Sequence, residues 1–223
     1  MKKSKIILIS LLCIIALVIL AVLIDIRING ISKEHDKALV YKETIPSFKV
    51  LRINHSNLEI VQGDSSYIQI SYKEDTLKPS KPFICNGDTL IVSDFKWYNA
   101  VKLFFKDSLN SIQLKNSNIT IEHINNSELN LRIDSSYVWF DMSKDTLSAI
   151  NFLNIVAVNH SSINTNRFRV DSIKVNLCSS NAYLRTSSKK ILGVLSNNSS
   201  IYSYQLEEIL MKKDSTSKIY FYD

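Results

Sequence analysis

The residues of this chain best suited to acid–base or metal chemistry near neutral pH are His35, His55, His123 and His160. Their spacing fits no paired metal ligands, and two of them fall in short polar segments between apolar alternations. No His-Glu-x-x-His, Gly-rich phosphate loop or Gly-x-Ser-x-Gly elbow occurs. Serines are abundant, but none has an evident base partner, which nucleophilic catalysis requires. Glu122 and Asp141 could form an acid–base pair or hold a calcium ion. Their positions in the repeat described below continue with Asn166, Arg185 and Tyr204, which builds no ligand cluster. The expectation is no catalytic residue, no cofactor and no metal.

Aromatic side chains offer a different chemistry. Trp139, Tyr183, Tyr202 and Tyr220 recur at one position of a repeated phrase, with Asn164 in the same series. Aligned on one face, they would present apolar area with a polar rim, suited to a sugar ring or another protein. The competing reading is a cross-strand ladder that only stabilises the fold. They form the candidate binding column.

What must position them is a repeated phrase of apolar and polar residues. Taking a serine as origin, apolar residues fall two and four positions after it and three and five before it. Ser117 has Ile112 and Leu114, then Ile119 and Ile121; Ser136 has Leu131 and Ile133, then Val138 and Phe140. Ser161 follows with Val156, Val158 and Ile163; Ser180 with Val175, Leu177, Ala182 and Leu184. Ser199 keeps Val194 and Ile201, and Ser217 keeps Ile219 and Phe221. Most steps from one origin to the next are close to the step from Ser117 to Ser136; the step from Ser136 to Ser161 is longer. An earlier copy stands at Ser56 and another is centred on Asp88. The interval from Ser56 to Ser117 is close to three units.

Alternation over five residues specifies a strand with one buried face. Corners such as Asn54-His55-Ser56 and Asn197-Asn198-Ser199 carry residues that turn a chain by bonding to local backbone and tolerating left-handed geometry. Two short strands and two corners in about 19 residues suit one coil of a single-stranded β-solenoid, or β-helix, in which like corners stack into Asn and Ser ladders. The alternative all-β architecture, a sandwich of hairpins, wants turn glycines, and the chain has 4 Gly, with only Asn86-Gly87 as a hairpin dipeptide. On this stacking Cys85 and Cys178 lie more than about 20 Å apart and do not pair, since a disulfide needs Cα atoms within about 7 Å.

The run from Phe48 to Asp64, with Phe-Lys-Val-Leu-Arg-Ile then Leu-Glu-Ile-Val-Gln-Gly-Asp, resembles the start of the head GIN domain family of autotransporter adhesins. The phrase from Ile173 to Leu184 is similar to that family's coils. The resemblance covers residues 47 to 221 and implies an exported bacterial β-solenoid with an adhesin-like role and no catalytic residues. This sequence departs from the family in lacking its corner glycines.

Residues 6–24 are apolar except Ser10 and Cys13 and span roughly 28 Å as a helix, near the hydrocarbon thickness of a bilayer. Lys2, Lys3 and Lys5 precede them, so residues 1–5 form a cytoplasmic tail and the C-terminal bulk lies outside. A cleaved signal peptide is the alternative, but the run is long and ends in Val22-Leu23-Ile24, without small residues. Residues 25–46 read as a juxtamembrane linker, with helical turns between Ile31 and Tyr41, and residues 47–223 as the solenoid ectodomain. From Asp25 onward, 24 basic residues face 21 acidic ones, and no basic run interleaved with aromatics occurs, which argues against nucleic acid. The expectation is a single-pass protein of a bacterial cytoplasmic membrane with a periplasmic or extracellular binding module. Its candidate partners are the membrane, a glycan or envelope protein, and a second copy meeting the last coil. The alternatives are a structural or sensory spacer and a polysaccharide-active β-helix enzyme.

Overall fold

The computed structural model describes residues 14–25, 39–72, 83–94, 100–141, 149–204 and 206–222. Residues 14–25 are helical and belong to one of two units into which the chain divides, the other holding Val40–Tyr72 and the chain from Thr76 onward. Every one of these helical residues is exposed, Ile14 at 59% and Leu17 at 65% among them. Among the described residues no helix is long and apolar enough to cross a membrane. The expected span of residues 6–24 begins outside them, because residues 6–13 are not described.

The β-domain opens with β1 (Leu39–Thr44), β2 (Val50–Asn54), β3 (Asn57–Gln62), β4 (Tyr67–Tyr72), β5 (Phe83–Asn86) and β6 (Thr89–Ser93). It continues through β7 (Val101–Phe105), β8 (Ser111–Lys115), β9 (Asn118–His123), β10 (Asn125–Asp134), β11 (Tyr137–Asp141) and β12 (Ala149–Val158). The last five are β13 (Ser162–Cys178), β14 (Asn181–Ser196), β15 (Ser200–Tyr204), β16 (Leu206–Lys213) and β17 (Lys218–Tyr222). The region expected as linker thus already holds a strand, β1, and Ile45 beside it is buried in the core.

Parallel pairing stacks these strands in two columns. The strands before each serine run β6-β2-β8-β10-β12-β13-β14-β16. Those after it run β7-β3-β9-β11-β13-β14-β15-β17. The long strands β13 and β14 take part in both. Register reproduces the sequence spacings: Asn118 pairs with Tyr137, Tyr137 with Ser162, Ser162 with Asn181, Asn181 with Ser200, and Ser200 with Lys218. This is the β-solenoid the alternation specified.

The corners explain how it is built with so little glycine. His55, Asn116, Ser135 and Ser179 each take a left-handed conformation, with φ of 49 to 51°. Asn159-His160 and Asn197-Asn198 supply two such residues each, with φ of 54 to 61°. That region costs an L-residue of order 1–2 kcal/mol, less for Asn, so something must offset it. The origin serines do so. Each backbone N–H donates to the next coil's hydroxyl: Ser56 to Ser117 at 3.2 Å, Ser117 to Ser136 at 2.9 Å, and Ser136 to Ser161 at 3.3 Å. The series continues from Ser161 to Ser180, Ser180 to Ser199 and Ser199 to Ser217, each at 3.2 Å. The hydroxyls of Ser136, Ser161 and Ser199 in turn donate to Asp134, Val158 and Ser196 carbonyls at 2.6 Å. All seven serines are buried, so the ladder satisfies polar groups that water cannot reach.

Four expectations are corrected. Val156, Val158 and Val194 do not face inward; Ile155, Ala157 and Leu195 are buried instead. The corners before Ser161 and Ser199 hold two left-handed residues rather than one, and the extra residue inverts the alternation upstream. Asp88 is no coil corner: Gly87 (φ 56°) and Asp88 turn the antiparallel hairpin of β5 and β6. The stretch from Ser56 to Ser117 is not three coils. β2 and β3 lie directly against β8 and β9, and the intervening chain runs to their other side, where β6 and β7 stack and antiparallel β5 and β4 cover them. Finally, Ile219 and Phe221 are not buried in the last coil, and Phe221 is 60% exposed.

Glycine is required at one inward position. Gly193 (φ 152°) pairs between Val175 and Met211, and a Cβ there would lie 1.8 Å from the Val175 carbonyl oxygen.

Candidate functional site

The outward residues of the post-serine strands form columns because the register is in phase from β11 to β17. Trp139 lies beside Asn164, Asn164 beside Tyr183, Tyr183 beside Tyr202, and Tyr202 beside Tyr220. Three of the four candidate residues therefore meet. The rings of Tyr183 and Tyr202 stack at 4.5 Å and 8°, and those of Tyr202 and Tyr220 at 4.6 Å and 9°. Asn164 separates Trp139 from this stack, placing the indole about 10 Å from Tyr183 at two strand spacings.

A second outward column runs beside it: Asp141, Asn166, Arg185, Tyr204 and Tyr222. Tyr204 and Tyr222 stack at 4.9 Å, and the Arg185 guanidinium lies 6.0 Å over Tyr204. Tyr202 and Tyr222 link the columns at 6.0 Å. The result is a plaque of five tyrosines on the last coils, of which Tyr204 and Tyr222 were not anticipated as site residues. Their signal was present in the sequence, five positions after Ser199 and Ser217.

Ring geometry sets what each aromatic residue presents. In the stack, ring faces are turned to one another, so the tyrosines offer edges and hydroxyl groups. Trp139 is flanked by Thr120 and Asn164, no described ring stacks on it, and it is 41% exposed. Burial and the neighbouring Tyr202 phenol raise the Tyr183 pKa above the ordinary tyrosine value, so the Tyr183 phenol stays neutral through physiological pH.

Of the two candidate carboxylates, Glu122 is held by a lysine. Glu122 lies 2.7 Å from the Lys102 ammonium, which also reaches Glu59 at 3.2 Å. Burial opposes the Lys102 charge, but hydrogen bonds to Glu122 and Glu59 outweigh it and hold the pKa above the ordinary lysine value. Lys102 carried no sequence signal, because β7 reaches β3 out of chain order. Among the described residues no group of three His, Cys, Asp or Glu side chains is placed to hold a metal. His55 and His160 sit in corners, His55 lying 3.9 Å from Asp94. His123 ends β9, and His35 lies outside the described residues. Cys85 on β5 and Cys178 on β13 are six strands apart, about 29 Å, and do not pair.

No family model and no curated protein matches this sequence. Solved structures do. A "putative adhesin" from Parabacteroides distasonis is 12% identical with a TM-score of 0.64, the match covering 83% of this chain and 97% of that one. A "putative adhesin" from Parabacteroides merdae is 12% identical with a TM-score of 0.52, covering 84% and 97%. A "putative lipid binding protein" from Parabacteroides distasonis is 12% identical with a TM-score of 0.53, covering 82% and 93%. At these identities the likeness is one of fold. This chain has the fold of structures called adhesins, in line with the resemblance of its sequence to the head GIN domain family.

Proposed function

We propose that this chain is an exported, non-enzymatic binding module of adhesin type, held at a bacterial cytoplasmic membrane by residues 6–24, which meets its partner through the outward aromatic face of its last coils. The observation that carries the reading is that face: Trp139, 41% exposed, in one outward column with the stacked rings of Tyr183, Tyr202 and Tyr220. The folds of the adhesin-named structures support it. The anchor draws support from the apolar run of residues 6–24 and from a helix whose large apolar side chains all lie exposed, an arrangement that suits lipid better than water. The partner is a surface glycan or an envelope protein.

A second reading, a purely structural spacer, is favoured by the ring stacking itself, which also strengthens parallel pairing. Pull-down on glycan and peptidoglycan arrays and on envelope extracts, wild type against Trp139→Ala with Tyr202→Ala, separates the two. Loss of retention in the double variant with unchanged circular dichroism supports the binding face. Equal retention, or none by either chain, leaves the spacer.

A further inference from the structure

The outermost strands of the last coil, β16 and β17, each read as self-complementary about their midpoints. In β17, Tyr220 is central: Ile219 and Phe221 flank it in the inward series, and Lys218 and Tyr222 in the outward series. In β16, Leu210 is central: Ile209 and Met211 are in the inward series, and Glu208 and Lys212 flank it outside. Glu207 and Lys213 extend the same sign change along the strand, acidic on one half and basic on the other. Phe221 is 60% exposed and Leu210 55% exposed, so apolar groups of this coil remain uncovered.

We propose that the last coil pairs with the last coil of a second copy, β16 to β16 and β17 to β17, antiparallel about a two-fold axis through Leu210 and Tyr220. Antiparallel addition places each Glu208 opposite Lys212 of the other copy, and each Lys218 opposite a Tyr222 ring. Ile209 then covers Met211, and Ile219 covers Phe221. Like meets like in a closed arrangement, which leaves no edge to propagate. Charge selects this occupant: a parallel mate in register would set Glu on Glu and Lys on Lys, which is repulsive. Glu208 also holds its own Lys190 at 3.0 Å, leaving a carboxylate with capacity for a second cation. The tyrosine column then runs through the junction, Tyr220 against Tyr220, so one assembly displays two aromatic faces.

The test uses the full chain in detergent, with Cys13, Cys85 and Cys178 replaced by Ser and Tyr220→Cys added. At the axis the two residues lie about 5 Å apart, within disulfide reach, so oxidation yields a covalent dimer. Ser162→Cys, remote from the end coil, serves as control and stays monomeric. Glu208→Lys alone and Lys212→Glu alone each cut the dimer about tenfold, and the two together restore it. Circular dichroism establishes the fold of each variant. Where Tyr220→Cys does not fold, the native mass of the otherwise unmodified charge variants carries the same comparison. A folded Tyr220→Cys chain that stays monomeric overturns the proposal, as do cross-linking indifferent to the charge reversals and a mass above that of a dimer.

Discussion

Replacing Ser161 by Ala tests the physical basis of the stack. Its hydroxyl accepts the Ser136 N–H at 3.3 Å and donates to the Val158 carbonyl at 2.6 Å, in a fully buried corner. Alanine keeps the backbone and removes both bonds. The Ser136 N–H is then a buried donor with no acceptor, worth about 1–3 kcal/mol, and the lost bond to Val158 adds about 0.5–1.5 kcal/mol. The expected loss is about 2–4 kcal/mol, large against the total stability of a typical domain. Ser162→Ala, one residue on and facing outward, changes stability by less than about 0.5 kcal/mol. Urea unfolding followed by far-UV circular dichroism measures both, with hydrogen exchange locating the loss at the corners of Ser136 and Ser161. Ser180→Ala, which removes the acceptor of the Ser161 backbone N–H, lowers stability by a similar amount. Equal effects for Ser161→Ala and Ser162→Ala would refute the reasoning, since the ladder would then be geometry without energy.

Gly193→Ala lowers stability by several kcal/mol in the same unfolding assay, because its Cβ would meet the Val175 carbonyl oxygen at 1.8 Å; an effect under about 1 kcal/mol would show that the strand shifts freely. Ser203→Ala stabilises by about 1 kcal/mol, since the buried Ser203 hydroxyl has no described partner, and a destabilised variant would point to an acceptor not accounted for. Hydrogen bonds from Ser217, Asn197 and Thr216 hold the Asp214 carboxyl far below the ordinary carboxylate range. Its stabilisation is therefore present above the unfolded pKa, about 4, and is lost as pH falls through the folded value. Asp214→Asn flattens that acid dependence, and an unchanged pH–stability profile would contradict the assignment.

Much of this was legible in the sequence because one residue type does one job at each repeat. The origin serines carry the ladder, and their spacings equal the pairing offsets of β9 to β17. The phase before Ser161 was not legible, because Ile155, Val156, Ala157 and Val158 are all apolar and either alternation is plausible. What settles it is a backbone choice, two left-handed residues rather than one at Asn159-His160. The excursion from β4 to β7 was misread for a different reason. Spacing records distance along the chain and not the side on which a strand stacks, so the stretch from Ser56 to Ser117 returns the chain to an adjacent coil. The aromatic column was readable, but ring orientation was not, and the face-to-face stacking of Tyr183, Tyr202 and Tyr220 emerges only from the structure.

The stacked coil makes residues one repeat apart in sequence, such as Ser162 and Asn181, neighbours in space. In a chain with Cys13, Cys85 and Cys178 replaced by Ser, Ser162→Cys with Asn181→Cys places two thiols on paired residues of β13 and β14, one strand spacing of about 4.8 Å apart. Oxidation is expected to join them, while Ser162→Cys with Ala182→Cys, one residue out of register and facing the core, stays open. Failure of the first pair to cross-link, or equal cross-linking of both, would contradict the stacked coil and every surface derived from it.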